Sequence, residues 1–235
     1  MFTSDPGNFN EDTALARRRY YALVIVGMAL PFLTEAFLTL TVYQKGQSYF
    51  TSFAESRFII WVSLGLLFFY SRYAEVQRFL LWDEEEHSLG FYLKWVILLF
   101  LLCYVAQVAS HIPYWFGLHE KRTVSLKLDQ MMKQYPAFGF FTAATAGITE
   151  ELFFRGYVMG RLALFFRNKH YVVLISAALF CGVHLSYHYW GETIYTFLLG
   201  LIFGYHYYRY HNIKVLVIMH FIVDAIVVLV VMHYR

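Results

Sequence analysis

Three charged residues lie close together in a long apolar stretch of the sequence. Glu150, Glu151 and Arg155 fall within six consecutive positions, and a charge at the centre of a membrane span costs at least about 2.5–3.5 kcal/mol. On a helix, Glu151 and Arg155 are four apart with the glutamate first, the favourable order for an ion pair. Glu150 lies about 100° away around the helix axis, so it cannot easily share that partner. An unpaired carboxylate in a low-dielectric setting suits proton transfer near neutral pH.

A purely structural interpretation of these charges stays open. Glu151 and Arg155 would then form a buried brace, and Glu150 would lie at a water-exposed helix end.

Two later apolar segments carry ionisable residues at a similar depth. His184 lies in one of them, and His220 and Asp224 lie in the last. A single histidine in a membrane helix is more often a packed residue than a catalyst. Here, however, Glu150, His184 and Asp224 each fall about a turn or less from the middle of their segments, and a helix rises only about 1.5 Å per residue. Three helices with ionisable groups at one depth predict a shared polar cavity.

The composition indicates that lipid is the solvent around these segments. Of 235 residues, 59% are hydrophobic and 15% are charged, and the mean hydropathy is +0.48, whereas a soluble domain carries about 25% charged residues. A span needs roughly 20 apolar residues. We therefore predict a single all-α membrane domain over residues 1–235, a polytopic bundle of seven to eight transmembrane helices. The net charge of +3 gives no indication of a nucleic-acid partner.

Seven apolar segments are the predicted helices. They are approximately Tyr20–Val42, Phe58–Tyr70, Phe91–Ile112, Ala137–Phe166, Tyr171–Tyr189, Ile194–Tyr208 and Val215–Val231. A break near Ala146-Gly147 in the fourth segment would give eight helices. The acidic run Asp83–Glu86 is interpreted as a solvated turn, and Cys103 and Cys181, inside apolar segments, as packing residues.

The basic residues give an orientation. Arg17, Arg18 and Arg19 precede the first segment and favour a cytoplasmic N-terminus. No small-residue cleavage pattern is evident near the first segment, so we interpret this segment as a retained span and not as a signal peptide. We expect the membrane to be the cell inner (cytoplasmic) membrane. The loop 113–135 then lies outside although it carries four basic residues, namely Lys121, Arg122, Lys127 and Lys133. An amphipathic stretch in this loop or an eighth span would resolve the conflict.

The polar residues resemble the pattern of the CPBP family of intramembrane peptidases, which includes CAAX prenyl endopeptidases, bacteriocin-processing proteins and abortive-infection proteins. That pattern has two adjacent Glu with an Arg four after the second, then Phe-x-x-x-His, then His-x-x-x-Asn or a similar small polar residue. Here the motifs read Glu150-Glu151-x-x-x-Arg155, Phe180-x-x-x-His184 and His220-x-x-x-Asp224. The resemblance covers residues 135–231, which we take as the peptidase core.

The resemblance implies an intramembrane glutamate-type endopeptidase without a metal or another cofactor. Glu150 would activate a water molecule that His184 holds, and His220 with Asp224 would stabilise the oxyanion. Structural support of the site is implied for Glu151, Arg155 and Phe180.

Asp224 departs from the family pattern, which favours Asn at this position. An Asn amide donates to an oxyanion, whereas an ionised Asp only accepts. Asp224 is therefore interpreted as orienting His220 and favouring its cation, or as a protonated acid that donates; the sequence leaves both open.

Other functions fit parts of the pattern. Glu150, His184 and His220 would supply three zinc ligands, although no His-Glu-x-x-His motif is present. Cys181 and His184 would form a thiol nucleophile and base. A non-catalytic scaffold or immunity protein and an ion-coupled transporter are further alternatives. The expected partners of a peptidase are the lipid bilayer and a protein or peptide substrate, and a prenylated protein, a leader peptide and a C-terminal anchor segment all fit.

Overall fold

A computed structural model of the chain describes residues 11–42, 46–118, 123–185 and 189–234. Within those ranges all regular structure is helical, which confirms the predicted all-α class. In chain order the elements are α1 Glu11–Val42, α2 Tyr49–Tyr73, α3 Leu89–Ala109, α4 Ile112–Trp115, α5 Thr123–Gln134, α6 Pro136–Glu150, a π-helical segment Glu151–Met159, α7 Gly160–Phe165, α8 Lys169–His184, α9 Trp190–Tyr210 and α10 Ile213–Tyr234.

The chain is an integral membrane protein. Four helices are long and apolar enough to cross a bilayer, namely Arg18–Val42, Tyr49–Tyr73, Leu89–Trp115 and Ile213–His233, and Lys169–His184 is a shorter apolar helix. Their outer faces expose large apolar side chains such as Leu33, Phe37 and Leu40, as expected where lipid replaces water. The total of seven or eight crossings stays a prediction.

The fourth apolar segment is one continuous helical rod from Pro136 to Phe165. The alternative of a break near Ala146-Gly147 is excluded, because α6 runs through both residues to Glu150. The change in geometry comes one residue later, where nine residues adopt the wider π-helical winding. Such segments are rare and occur frequently at functional sites.

Glycines allow the helices that carry the polar residues to approach closely. A Cβ at Gly147 of α6 would lie 3.2 Å from both the Val217 carbonyl oxygen and the Phe221 nitrogen of α10. A Cβ at Gly200 of α9 would lie 2.9 Å from Ala177 Cα of α8. Small residues at such positions let membrane helices pack backbone to backbone. These glycines therefore let α6 pack closely on α10, and α9 on α8.

An amphipathic helix occupies part of the basic loop. In α5, Met131 and Met132 are buried and pack with Val228 and Val231 of α10. Its 12 residues reach only about 18 Å at ~1.5 Å per residue, too short for a span. This favours the amphipathic alternative over an eighth span at this point. Lys121 and Arg122, and residues 1–10 at the N-terminus, lie outside the described residues.

The acidic run before α3 is more than a solvated turn. Both carboxylate oxygens of Glu84 lie 3.0 Å from the Ile213 backbone nitrogen, at the start of α10. The Glu85 carbonyl accepts from Asn212 Nδ2 at 3.1 Å. Glu84 is half-buried, and burial raises the pKa of its carboxyl group. The earlier interpretation is wrong for Glu84, because the start of α10 folds back onto this loop and uses the carboxylate as a cap.

Candidate active site

Three of the predicted site residues meet around one carboxylate oxygen. Glu150 ends α6, His184 ends α8 and His220 lies in the first half of α10. The Oε2 atom of Glu150 is 4.0 Å from His184 Nε2 and 3.9 Å from His220 Nε2. This oxygen is buried and has no hydrogen-bond partner within the described part of the chain. A buried carboxylate oxygen left unsatisfied costs free energy, so the arrangement suits a water molecule or a polar group of a ligand.

The backbone of α8 fixes the orientation of His184. Its Nδ1 lies 2.8 Å from the carbonyl oxygen of Phe180, one turn earlier. A carbonyl only accepts, so Nδ1 carries the proton in this contact. The neutral imidazole then presents Nε2 to Glu150 as an acceptor.

His220 is held by Glu151. Its Nδ1 lies 2.7 Å from Glu151 Oε1, while Asp224 Oδ2 lies 3.7 Å from its Nε2, beyond hydrogen-bonding distance. The hydrogen bond that orients the ring thus comes from Glu151, and Asp224 lies at ion-pair distance; that Asp224 favours the His220 cation stays a prediction. The close approach of α6 and α10 at Gly147 brings the carboxylate of Glu151 against the ring.

The predicted pair of Glu151 and Arg155 is present and fully buried. Arg155 Nη1 lies 3.0 Å from Glu151 Oε1, and the two side chains are 1% and 0% exposed. The guanidinium carbon of Arg155 lies 4.5 Å from the centre of the Phe180 ring. Phe180 therefore covers the cation with its ring, holds His184 through its carbonyl and lines the cavity beside them.

Two cavities meet at Glu150. The first, about 280 Å³, lies among α2, α5, α6, α8, α9 and α10, and Asp224 and His220 line it. The second, about 250 Å³, lies among α1, α2, the π segment and α8. Glu150, His184 and Arg57 line both. The site is thus reachable from two sides of the catalytic candidates.

These walls contain four charged residues that the sequence motifs did not identify: Asp129 and Glu192 of the first cavity, and two more in or beside apolar segments. Glu35 of α1 lines the second cavity, and Arg57 of α2 lines both. Each lies within or directly beside an apolar segment. Because a charge in a membrane span is costly, both residues could be identified from the sequence in the same way as Glu150.

A second buried charged cluster was also missed. Arg161 Nη2 lies 2.8 Å from Glu75 Oε2, and both side chains are 0% exposed. Tyr157 donates its hydroxyl to Glu75, and Arg161 lies over the Tyr157 ring. We call Glu75, Tyr157 and Arg161 the charged brace. Glu75 is 82 positions before Tyr157 and 86 before Arg161, so no local spacing in the sequence predicts that they meet.

The zinc and thiol alternatives find little geometric support. Among the described residues, no three or more His, Cys, Asp or Glu side chains are grouped to hold a metal ion. The Cys181 thiol points to the Thr193 carbonyl of α9 at 3.3 Å, and Cys181 is absent from the lining of both cavities.

One comparison with known proteins gives a match. Residues 133–226 fit the family described as type II CAAX prenyl endopeptidase Rce1-like. The matched range contains every motif residue from Glu150 to Asp224, and the match confirms the resemblance noted from those motifs. No curated protein and no solved structure matches the chain.

Proposed function

We propose that this chain is an intramembrane endopeptidase that uses Glu150 as its general base and needs no metal ion. It would hydrolyse a peptide bond of a membrane-associated or lipidated protein, or of a leader or anchor peptide. The observation that carries the proposal is the buried Oε2 of Glu150, which faces the Nε2 atoms of His184 and His220 at 4.0 and 3.9 Å. The match to a peptidase family supports the same reaction class.

The first step follows from the hydrogen-bond inventory. The Glu150 carboxylate and Nε2 of neutral His184 both accept, so a water between them donates one hydrogen to each. The lone pairs of that water point away from both and toward a bound substrate. As its oxygen bonds to the carbonyl carbon, its proton passes to Glu150. The carbonyl π electrons move to oxygen and form the oxyanion.

His220 would stabilise the oxyanion. Its Nδ1–H is engaged by Glu151, so Nε2 donates only when the ring is an imidazolium. The nearby carboxylate of Asp224, 3.7 Å from Nε2, balances that charge when ionised; a protonated Asp224 would itself donate. When the intermediate collapses, the C–N bond breaks and Glu150 gives its proton to the leaving amine nitrogen. The preorganised donors act where charge develops.

The substrate is proposed to be a prenylated or C-terminally anchored protein or peptide. The family description names prenyl endopeptidases, and the second cavity, besides its polar residues, has apolar walls formed by Phe32, Ile60, Leu64 and Phe153. Such walls suit a lipid chain or a hydrophobic peptide. We further propose that residues 1–235 form one domain in the inner (cytoplasmic) membrane, with the N-terminus in the cytoplasm.

Glu150→Gln tests the mechanism. The substitution keeps the size of the side chain but removes the proton acceptor, so hydrolysis should fall at least ~10²-fold, the usual scale of general-base catalysis. His184→Ala should cause a similar loss, and the double variant should be little worse, because groups that act as a unit are non-additive. Comparative membrane proteomics of cells with wild-type or Glu150→Gln protein should show an uncleaved precursor, which the purified wild-type protein then cuts.

The controls separate the competing functions. Wild-type activity should survive a strong chelator, whereas a zinc peptidase would lose it. Cys181→Ser should retain activity, whereas a thiol peptidase would not. A Glu150→Gln protein that cuts at a near-normal rate would overturn the glutamate mechanism in favour of a metal or thiol peptidase. Unchanged precursor processing in Glu150→Gln cells, together with no cleavage by the purified wild-type protein, would instead favour a scaffold or transporter.

A further inference from the structure

Arg57 places a permanent positive charge inside a helix that is long and apolar enough to span the bilayer. It is the ninth residue of α2, Tyr49–Tyr73, which puts it about 12 Å along the axis at ~1.5 Å per residue. A cation at such depth is costly and normally marks a function or has a paired partner.

The partners of Arg57 do not neutralise it. Its Nε and Nη2 atoms each lie 3.3 Å from the Ser56 hydroxyl, and its guanidinium carbon lies 4.6 Å from the centre of the Phe53 ring. In the part of the chain that the structure describes, no carboxylate forms an ion pair with it within 4.0 Å, although Glu35 is near enough to attract it. Arg155 and Arg161, in contrast, each have a carboxylate at 3.0 Å or less. Arg57 therefore keeps donors for a ligand.

The location of Arg57 indicates which ligand. It lines both cavities at the point where Glu150 and His184 also line both. A substrate that presents its scissile bond to Glu150 from either cavity therefore lies in a space that this guanidinium also lines.

Of the Asp, Glu, Lys and Arg side chains described in the wall of the first cavity, Arg57 alone is basic. The others are carboxylic acids, namely Asp129, Glu150, Glu192 and Asp224. An anionic group of the substrate would be repelled along those walls and attracted at Arg57. A carboxylate is also the partner whose geometry matches the planar guanidinium fork.

We propose that Arg57 binds a carboxylate of the peptide substrate, foremost the free C-terminal α-carboxylate, and so sets the distance from the chain end to the scissile bond. This rests on the proposed peptidase function. Arg57 is a specificity-determining residue in this proposal, and α2, which lies outside the family match, contributes it. Arg57 could instead serve only to offset the negative charges of Glu35 and Glu150. In that case the protein would cleave substrates with and without the carboxylate equally well.

The test compares matched peptides. A farnesylated peptide ending in Cys-Val-Ile-Met is prepared as the free acid, as the C-terminal amide, and as an amide with Asp in place of the last residue. Each is incubated with the purified full-length protein in detergent, and kcat and KM are measured separately. Wild type should prefer the free acid over the amide by about 10- to 100-fold in kcat/KM, the range for a charge-assisted hydrogen bond. The effect should lie mainly in KM, since the contact forms before chemistry.

Arg57→Gln should lower kcat/KM for the free acid about 10- to 100-fold more than for the amide. Arg57→Lys should restore part of the preference, because it keeps the charge but not the fork. Arg72→Gln, on the exposed end of the same helix, is the matched control and should keep the full preference. Binding without turnover can be measured by fluorescence polarisation in the Glu150→Gln protein. That protein should bind the acid more tightly than the amide, and the double variant Glu150→Gln with Arg57→Gln should lose this preference.

The outcomes are distinct. Recovery of the rate by the Asp-containing amide, dependent on Arg57, would support a carboxylate site that also accepts a side chain. Equal cleavage of acid and amide by wild type, or an equal loss for both in Arg57→Gln, would overturn the inference and leave the peptidase function standing. Failure of wild type to cut all three peptides would overturn the proposed action on prenylated peptides, and this inference with it.

Discussion

Glu151 connects the structural and the catalytic candidates through one oxygen atom. Its Oε1 accepts from Arg155 Nη1 at 3.0 Å and from His220 Nδ1 at 2.7 Å. The same carboxylate that neutralises a buried arginine therefore fixes the ring proposed to meet the oxyanion. A residue implied only as support thus determines which nitrogen of His220 faces the cavity.

Glu151→Ala and Arg155→Ala should each lower folded yield as well as activity. Removing one partner of a buried pair leaves an uncompensated charge, which costs on the order of 3–5 kcal/mol. The measurement is thermal unfolding in detergent together with the monodisperse yield in size-exclusion chromatography. Arg209→Ala, an exposed arginine of α9, is the control and should melt like wild type. If all three variants unfold at the same temperature, the ion pair between Glu151 and Arg155 does not stabilise the fold.

Local spacing predicted part of this site. The four-residue separation of Glu151 and Arg155 was enough to predict their ion pair. A shared depth was enough to predict that Glu150, His184 and Asp224 line one polar cavity. The bond between Glu151 and His220 spans 69 positions and depends on the approach of two backbones at Gly147. No pattern within one segment contains that information.

At the scale of helices, the apolar runs located the long elements but not their ends. The N-terminus of α2 is nine residues earlier than the predicted Phe58, because Ser48 caps it by accepting from the Thr51 nitrogen at 3.1 Å. The end of α8 is at His184, before the predicted Tyr189. The π segment was not predicted, because a hydrophobic pattern indicates which face of a helix is buried. It does not indicate whether each backbone amide bonds to the carbonyl four or five residues earlier. The π segment begins at Glu151, next to the proposed base.

The cap of α10 by Glu84 gives a prediction at this scale. Glu84→Ala removes the acceptor for the Ile213 N–H, and loss of such a cap typically costs about 0.5–2 kcal/mol. The melting temperature should therefore fall, and Glu84→Gln, which keeps an acceptor oxygen, should recover much of the loss. Glu86→Ala, exposed in the same run, should leave the melting temperature within error. A Glu84→Ala protein as stable as the Glu86→Ala protein would contradict the capping role.

For the whole molecule, the charged brace attaches the first two helices to the matched peptidase range. Glu75 follows α2, whereas Tyr157 and Arg161 belong to the π segment and α7. Arg161 also donates to the carbonyls of Arg78, at 2.9 Å, and Phe79. A Cβ at Gly27 of α1 would collide with the Tyr157 hydroxyl, so α1 packs directly on the brace. Since α1 and α2 also supply Glu35 and Arg57 to the cavities, both site walls depend on this attachment.

Arg161→Met should therefore destabilise both parts of the molecule together. The buried carboxylate of Glu75 would lose its counter-charge, at a cost of about 3–5 kcal/mol, whereas Glu75→Leu combined with Arg161→Met should cost less than either single change, because no unpaired charge remains. Unfolding can be followed in each part by a thiol-reactive fluorophore. One reporter is Cys181 of α8 in a Cys103→Ala protein; the other is Ser63→Cys of α2, a buried position, with both native cysteines replaced by alanine.

If residues 1–235 form one cooperative domain, the two reporters should become reactive at the same temperature, and Arg161→Met should lower both midpoints equally. The brace is the reason to expect this, because α1 and α2 cannot separate without leaving Glu75 and Arg161 as unpaired charges. Two separate midpoints in the wild-type protein would contradict the single-domain proposal. In the Arg161→Met protein, a lower midpoint for the Ser63→Cys reporter with an unchanged midpoint for Cys181 would have another meaning. It would show that the first two helices detach from a peptidase range that stays folded by itself.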